Sequence, residues 1–185
     1  MNRNHKEMNH MAEQKRQKVN YIMKELKQKE VPQQQKQLTC CFTGRRNIAD
    51  ENIAFVTEKL KNAIRKAIDT GYKIFISGMA EGTDTIAAEV VKELQQKYKD
   101  IYLIAYLPYQ KKLFSKEIAE LLPCCKEICV AEIENQKGCY HLRNRYMIEH
   151  SSLLIAVTDG KQGGGTDYTI KYGQKMGIHI EKIYF

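Results

Sequence analysis

Three short segments of this 185-residue chain combine glycine with residues able to hold an anion. They are TGRRN (43–47), SGMAEGTD (77–84) and TDGKQGGGTD (158–167), each directly after an apolar run rich in strand formers. Consecutive glycines are costly to order, so Gly163, Gly164 and Gly165 point to a backbone that something must approach closely. Two of the segments run into a helix through Gly-Thr-Asp, at Gly82–Asp84 and at Gly165–Asp167. A helix start offers unpaired N–H groups and a partial positive charge, which favour phosphate. Thr83 and Thr166 suit helix caps or hydroxyl donors to a phosphate oxygen. Asp84 and Asp167 suit a helix first turn, and a hydrogen bond to a ribose hydroxyl is the alternative for either. Gly44, Ser77 and Gly78 complete the strand-to-loop junctions.

Four arginines reinforce the reading. Arg45 and Arg46 follow the first regular strand, and Arg143 and Arg145 open the helix before the fifth. Guanidinium matches phosphate in a bidentate way, whereas the competing role is a surface salt bridge, for example Arg145 with Glu149. None of the segments is a P-loop, because Lys161 precedes the glycines, and the G-x-G-x-x-G dinucleotide fingerprint is missing. Catalytic residues cannot be assigned from spacing. Glu81 is the candidate general acid or base, weighed against an exposed loop glutamate with no role. His141 and His150 flank or lie in one helix, and no nucleophile–base pair stands out.

The elements that must position these residues alternate. The pattern predicts strands at 38–43, 73–77, 101–107, 127–133, 152–158 and 178–185. Between them it predicts helices at 51–70, 83–97, 111–121, 140–150 and 167–176. Ile53, Val56, Leu60, Ile64 and Ala67 recur on one face of the first, and Ile86, Val90 and Leu94 on one face of the second. Strands alternating with helices imply right-handed crossovers and a mostly parallel sheet covered on both faces. The expected fold is α/β, a three-layer Rossmann-like sandwich with about six strands. Residues 5–30 read as a charged helix with a thin apolar stripe (Met8, Met11, Val19, Ile22, Met23, Leu26). Residues 31–37 read as a polar linker after it. The expected organisation is therefore a basic helical extension and linker at 1–37 and a Rossmann-like domain at 38–185.

Charge follows that division. Residues 1–37 hold nine Lys/Arg against four Glu, and the remainder 21 against 18, giving +5 and +3 of the net +8. The extension is expected to dock on a protein partner or a second copy of the chain; nucleic acid is weighed but not favoured, because the body is only mildly basic. There is no apolar run of about 18 residues and no secretion signal, so no membrane partner and a cytoplasmic location are expected. The six cysteines are expected to be reduced and buried. A zinc site from Cys125, Cys129, Cys139 and His141 can be drawn, but its spacing fits no common pattern, so no metal is expected.

The stretches SGMAEGTDTIAAEVV and RNRYMIEHSSLLIAVTDGKQGGGTDYTIKYGQKMGIHI resemble the SLOG superfamily of Rossmann-like domains, and the CFTGRR opening resembles its YpsA-like branch. That superfamily also includes DprA and the Lonely guy phosphoribohydrolases. The likeness covers roughly residues 38–185. It implies a site for a nucleotide or nucleotide-derived ligand, such as an ADP-ribose-like molecule, formed by Gly78–Asp84 and Gly163–Asp167, with no certain cofactor. Arg143 matches the arginine of the Lonely guy enzymes. Their catalytic glutamate, two residues after the threonine of the glycine loop, is Tyr168 here. A binding or sensing role, regulatory in kind, is therefore expected ahead of N-glycosidic hydrolysis of nucleoside monophosphates and of DprA-like single-stranded DNA binding.

Overall fold

Alternation along each strand builds the two cores. In the computed structural model, which describes residues 23–26, 30–132, 134–135 and 137–185, strand β2 (Thr39–Gly44) sends Cys40 and Phe42 to one face of the sheet and Cys41 to the other. Helices α2 (Asp50–Asp69) and α3 (Thr83–Leu94) cover the first face. Val56, Leu60, Ala63, Ile64 and Ala67, spaced three and four apart on α2, are all buried there. Helices α4 (Cys139–Glu149) and α5 (Gly164–Lys175) cover the second, where Met147, Ile148 and Ile170 pack on Cys41, Ile76 and Ile104.

The sheet is completed by β1 (Met23–Glu25), β3 (Ile74–Ser77), β4 (Tyr102–Tyr109), β5 (Cys125–Glu132), β6 (Leu153–Thr158) and β7 (His179–Tyr184). All pairings are parallel and the order is β1-β5-β4-β3-β2-β6-β7. This is the expected α/β three-layer, Rossmann-like architecture. Among the described residues, no helix is long and apolar enough to cross a membrane.

Four local expectations need correction. The helix expected over 5–30 does not hold at 23–25, which form β1 and pair with Ile128–Val130 of β5. The open edge of β5 offers a ladder of backbone partners, and Leu26, at 1% exposure, enters the second core. Tertiary pairing there outweighs the helix propensity of a charged segment. The sheet thus takes in residues N-terminal to position 37 and has seven strands. The polar linker includes a short helix, α1 (Gln33–Gln37), started by Pro32. Finally, residues 111–121 form no α-helix but lie in the 3₁₀ turns Gln110–Phe114 and Lys116–Ile118, with a third turn at Leu122–Cys124. Leu113 and Ile118 are both buried but five apart, off a shared α-helical face. Ile53, expected on the buried face of α2, is exposed in its first turn. The rest of the N-terminal extension, residues 1–22 and 27–29, lies outside the described residues.

Candidate functional site

From β2 the chain winds through β3 and β4 to β5 on one side of the sheet, then crosses back to β6 on the other side of β2. The order reverses between β2 and β6, and a crevice beyond the C-terminal ends of strands at such a point is where ligands enter open parallel sheets. The segments after β2, β3 and β6 meet there.

The segment after β2 divides its labour. The Arg45 carbonyl accepts hydrogen bonds from the backbone N–H (3.1 Å) and the hydroxyl (3.0 Å) of Thr83. A Cβ on Gly44 would lie 2.2 Å from that hydroxyl, so Gly44 is bare because α3 starts against it. The Arg45 side chain turns the other way. Its Nε (2.7 Å) and Nη2 (2.6 Å) reach Asp159 Oδ1, and Nη2 also donates to the Lys161 carbonyl at 3.1 Å. Asp159 is partly desolvated, yet the bonds from Arg45 and the Lys161 amide hold its carboxyl down at about 2.

The segment after β3 is filled by protein. The Ser77 hydroxyl donates to the Asp84 carbonyl (2.8 Å) and accepts from the Met79 amide (3.1 Å). That amide belongs to a buried residue at φ 53°, an unusual conformation for methionine. Gly82, at φ +80°, lies so close that a Cβ would come within 2.1 Å of the Arg46 carbonyl. Asp84 and Arg143 form a buried pair at 3.1 Å, and the Ala80 amide points at the same carboxyl oxygen. Burial pushes the Asp84 carboxyl up and the Arg143 guanidinium down, each toward its neutral form, and their mutual attraction opposes both shifts. Guanidinium keeps its proton in proteins, so the pair is ionised and tightly held. A Cβ on Gly78 would fall 1.1 Å from Arg143 Nη1, so this glycine exists to admit the arginine. Arg143 Nε is buried with no hydrogen-bond partner.

The segment after β6 is open. A Cβ on Gly163 or Gly165 would meet no protein atom within 4 Å, and one on Gly164 would meet only Arg45 Nη1, at 3.8 Å. Gly163 (φ +87°) and Gly164 (φ +76°) take backbone angles that side chains resist. Asp167 accepts from the Gly163 amide and from Lys171, both at 2.9 Å, and these bonds hold its carboxyl below the usual value. Asp167 therefore serves as a structural clasp for the glycine turn. Thr166 is buried in the first turn of α5.

Of the residues singled out from sequence, Gly44–Arg46, Ser77, Gly78, Gly82–Asp84, Arg143 and Gly163–Asp167 come together at these strand ends. Glu81 is exposed in the loop before α3. Arg145 lies along α4, against Glu149 and over the Tyr172 ring, as in the salt-bridge alternative. Among the described residues no group of three or more His, Cys, Asp or Glu gathers as a metal would require. Cys40, Cys41, Cys125, Cys129 and Cys139 are buried, whereas Cys124, expected to be buried with them, is half-exposed; burial pushes Cys41 and Cys125 up to about 12.

Sequence reasoning missed an aromatic rim. The first turn of α4 carries Tyr140 and His141 side by side. Arg46 lies over the Tyr140 ring at 5.1 Å, and Tyr109, at the end of β4, meets it in a T-shaped contact at 6.1 Å. His141 meets Tyr168, on the first turn of α5, at 4.6 Å. Tyr109 directly follows Pro108 at a strand end, and Tyr168 directly follows Gly-Thr-Asp, so their positions were available once strand ends were taken as the site.

The family model described as YspA SLOG family matches residues 40–183. The chain belongs to this family, in the YpsA-like branch of the SLOG superfamily. It is 28% identical over 134 residues to a UPF0398 protein of Bacillus thuringiensis (strain Al Hakam), covering 65% of this chain and 72% of that protein. A UPF0398 protein of Bacillus cereus (strain G9842) is 26% identical over 135 residues, covering 68% and 72%. Among solved structures, DNA processing protein A from Helicobacter pylori, described for its binding of single-stranded DNA, superposes with a TM-score of 0.59. That match covers 82% of this chain and 68% of that one. At 17% identity the likeness is one of fold. The three glycine segments of this chain fall inside the region that the family model matches.

Proposed function

We propose that the protein binds a nucleotide or a nucleotide-derived molecule such as an ADP-ribose derivative. Its phosphate lies on the Gly164–Thr166 turn, and the bound state serves a regulatory or sensing role. The observation that carries this reading is the emptiness above the three glycines, beside an arginine already poised over Gly164. Bare amides at a helix start and a neighbouring guanidinium both suit phosphate. The arrangement sits at the reversal of strand order, which favours the same position.

Hydrolysis at an N-glycosidic bond has less support. Asp84 is committed to Arg143, Asp167 to Gly163 and Lys171, and Tyr168 stands where the family's hydrolases carry a carboxylate. Glu81 alone remains for that role. Single-stranded DNA binding is supported only by the fold shared with the Helicobacter pylori protein.

Titration calorimetry with a panel of nucleotides and ADP-ribose derivatives tests the reading. Binding to wild type, weakened at least tenfold by Gly165→Val, is the expected result. Gly165 is the better site for the obstruction, because a valine at Gly164 would add strain at φ +76°. No affinity for any compound of the panel would dismiss the proposal.

A further inference from the structure

Tyr168 lies on the same helical turn as the open glycines, and its ring is fixed from two directions. Tyr172 stacks on it at 6.3 Å with planes 6° apart, and His141 meets it in a T-shaped contact at 4.6 Å. The ring is nonetheless 37% exposed. Single exposed aromatics are ordinary, but this one belongs to an array. Tyr172 is in turn covered by Arg145 at 5.6 Å, and His141 adjoins Tyr140, which carries Arg46. An aromatic ring whose rotamer is already held loses little freedom when a flat group lies on it. A guanidinium beside such rings adds attraction for a π-system.

We infer that the Tyr168–His141 corner is the base-binding element of the site, so that the ligand is a phosphate ester bearing an aromatic base and not a bare phosphosugar. This rests on the phosphate position proposed above and adds the selectivity of the same site. The phosphate is held by backbone and arginine, which ignore the base; the base is held by stacking, which any base can supply. The site is therefore expected to favour nucleotides over sugar phosphates while ranking the different bases within a narrow range.

The test compares adenosine 5′-monophosphate with ribose 5-phosphate by calorimetry on the full chain. Wild type should bind the nucleotide about fivefold or more tightly than the sugar phosphate, since stacking of one base contributes at least that much. Tyr168→Leu should remove most of that difference while leaving ribose 5-phosphate affinity unchanged. Phe55→Leu, an exposed aromatic on the outer helix α2, should leave both affinities as they are. Equal affinity for the two ligands in wild type overturns the inference and leaves the phosphate site standing. A Tyr168→Leu protein that keeps the full preference overturns it as well. Tight binding of a short single-stranded DNA with neither mononucleotide nor sugar phosphate bound overturns both readings in favour of a nucleic-acid surface.

Discussion

The two Gly-Thr-Asp segments are identical in sequence and opposite in use. At Gly82–Asp84 the segment is packed against the rest of the protein. The glycine presses on the Arg46 carbonyl, the threonine hydroxyl bonds the Arg45 carbonyl, and the aspartate is buried against Arg143. At Gly165–Asp167 the glycine faces open space, and the aspartate merely clasps the turn before it. The first segment holds the loop after β2 in place, and the second leaves amides bare beneath an arginine which that loop supplies. A motif of this kind thus reports a helix start against a strand end; whether it binds a ligand depends on what fills the space in front of it.

The sharpest way to break the contrast is Asp84→Ala. It leaves a buried guanidinium unpaired, which costs about 3–5 kcal/mol, so a fall of many degrees in thermal midpoint is expected. Adding Arg143→Met to Asp84→Leu should recover much of the loss, because an apolar pair needs no partner. A midpoint for Asp84→Ala close to that of wild type would show that the first segment is not the filled one.

A smaller effect separates strain from crowding. Both Gly82 and Gly163 sit at positive φ, so alanine at either costs about 1–3 kcal/mol in backbone strain. Only at Gly82 does the new Cβ also meet a carbonyl. Denaturant midpoints should therefore fall further for Gly82→Ala than for Gly163→Ala. Equal losses would mean that the two loops are equally open.

The Arg45–Asp159 bond supplies a pH signature at the open segment. Asp159 titrates near 2 instead of its ordinary 3.8. A depressed carboxyl contributes its stability fully above the unfolded value and loses it as pH falls through the folded one. The contribution should thus be complete above about pH 4 and fade between there and about pH 2. In acid titrations followed by circular dichroism, Asp159→Asn should lower stability at neutral pH, flatten the fall in that window and converge with wild type near about pH 2. The same steep fall in the variant would mean that Arg45 is not held by Asp159.

The smallest effect has the opposite sign. Gly165 lies in the first turn of α5, and a Cβ there touches nothing, so Gly165→Ala should be neutral or stabilising by up to about 1 kcal/mol. The same methyl would stand where the phosphate is proposed. A raised midpoint together with weaker ligand binding would show that this glycine is kept for a ligand and not for the fold.

Residue order alone was enough for the alternating elements, the parallel sheet and the clustering of glycine segments at strand ends. These depend on short-range periodicity: strands alternate at two and helices at 3.6, and apolar residues recurring at those spacings can be covered only by the matching layers. Identical local chemistry could not distinguish the two Gly-Thr-Asp segments. Their difference is made by Arg143, 59 positions from Asp84, and by the Arg45 and Arg46 carbonyls, which no local window includes. Likewise Met23–Glu25 is an edge strand and 111–121 a pair of turns where local pattern predicts helix, because an open sheet edge and a core needing Leu113 and Ile118 together override local preference. The aromatic rim joins side chains from β4, α4, α5 and the loop after β2, and only the crossing of the chain between β5 and β6 brings them to one edge. Periodic burial is written locally in the sequence, whereas the occupancy of a space is decided by every segment that could have filled it.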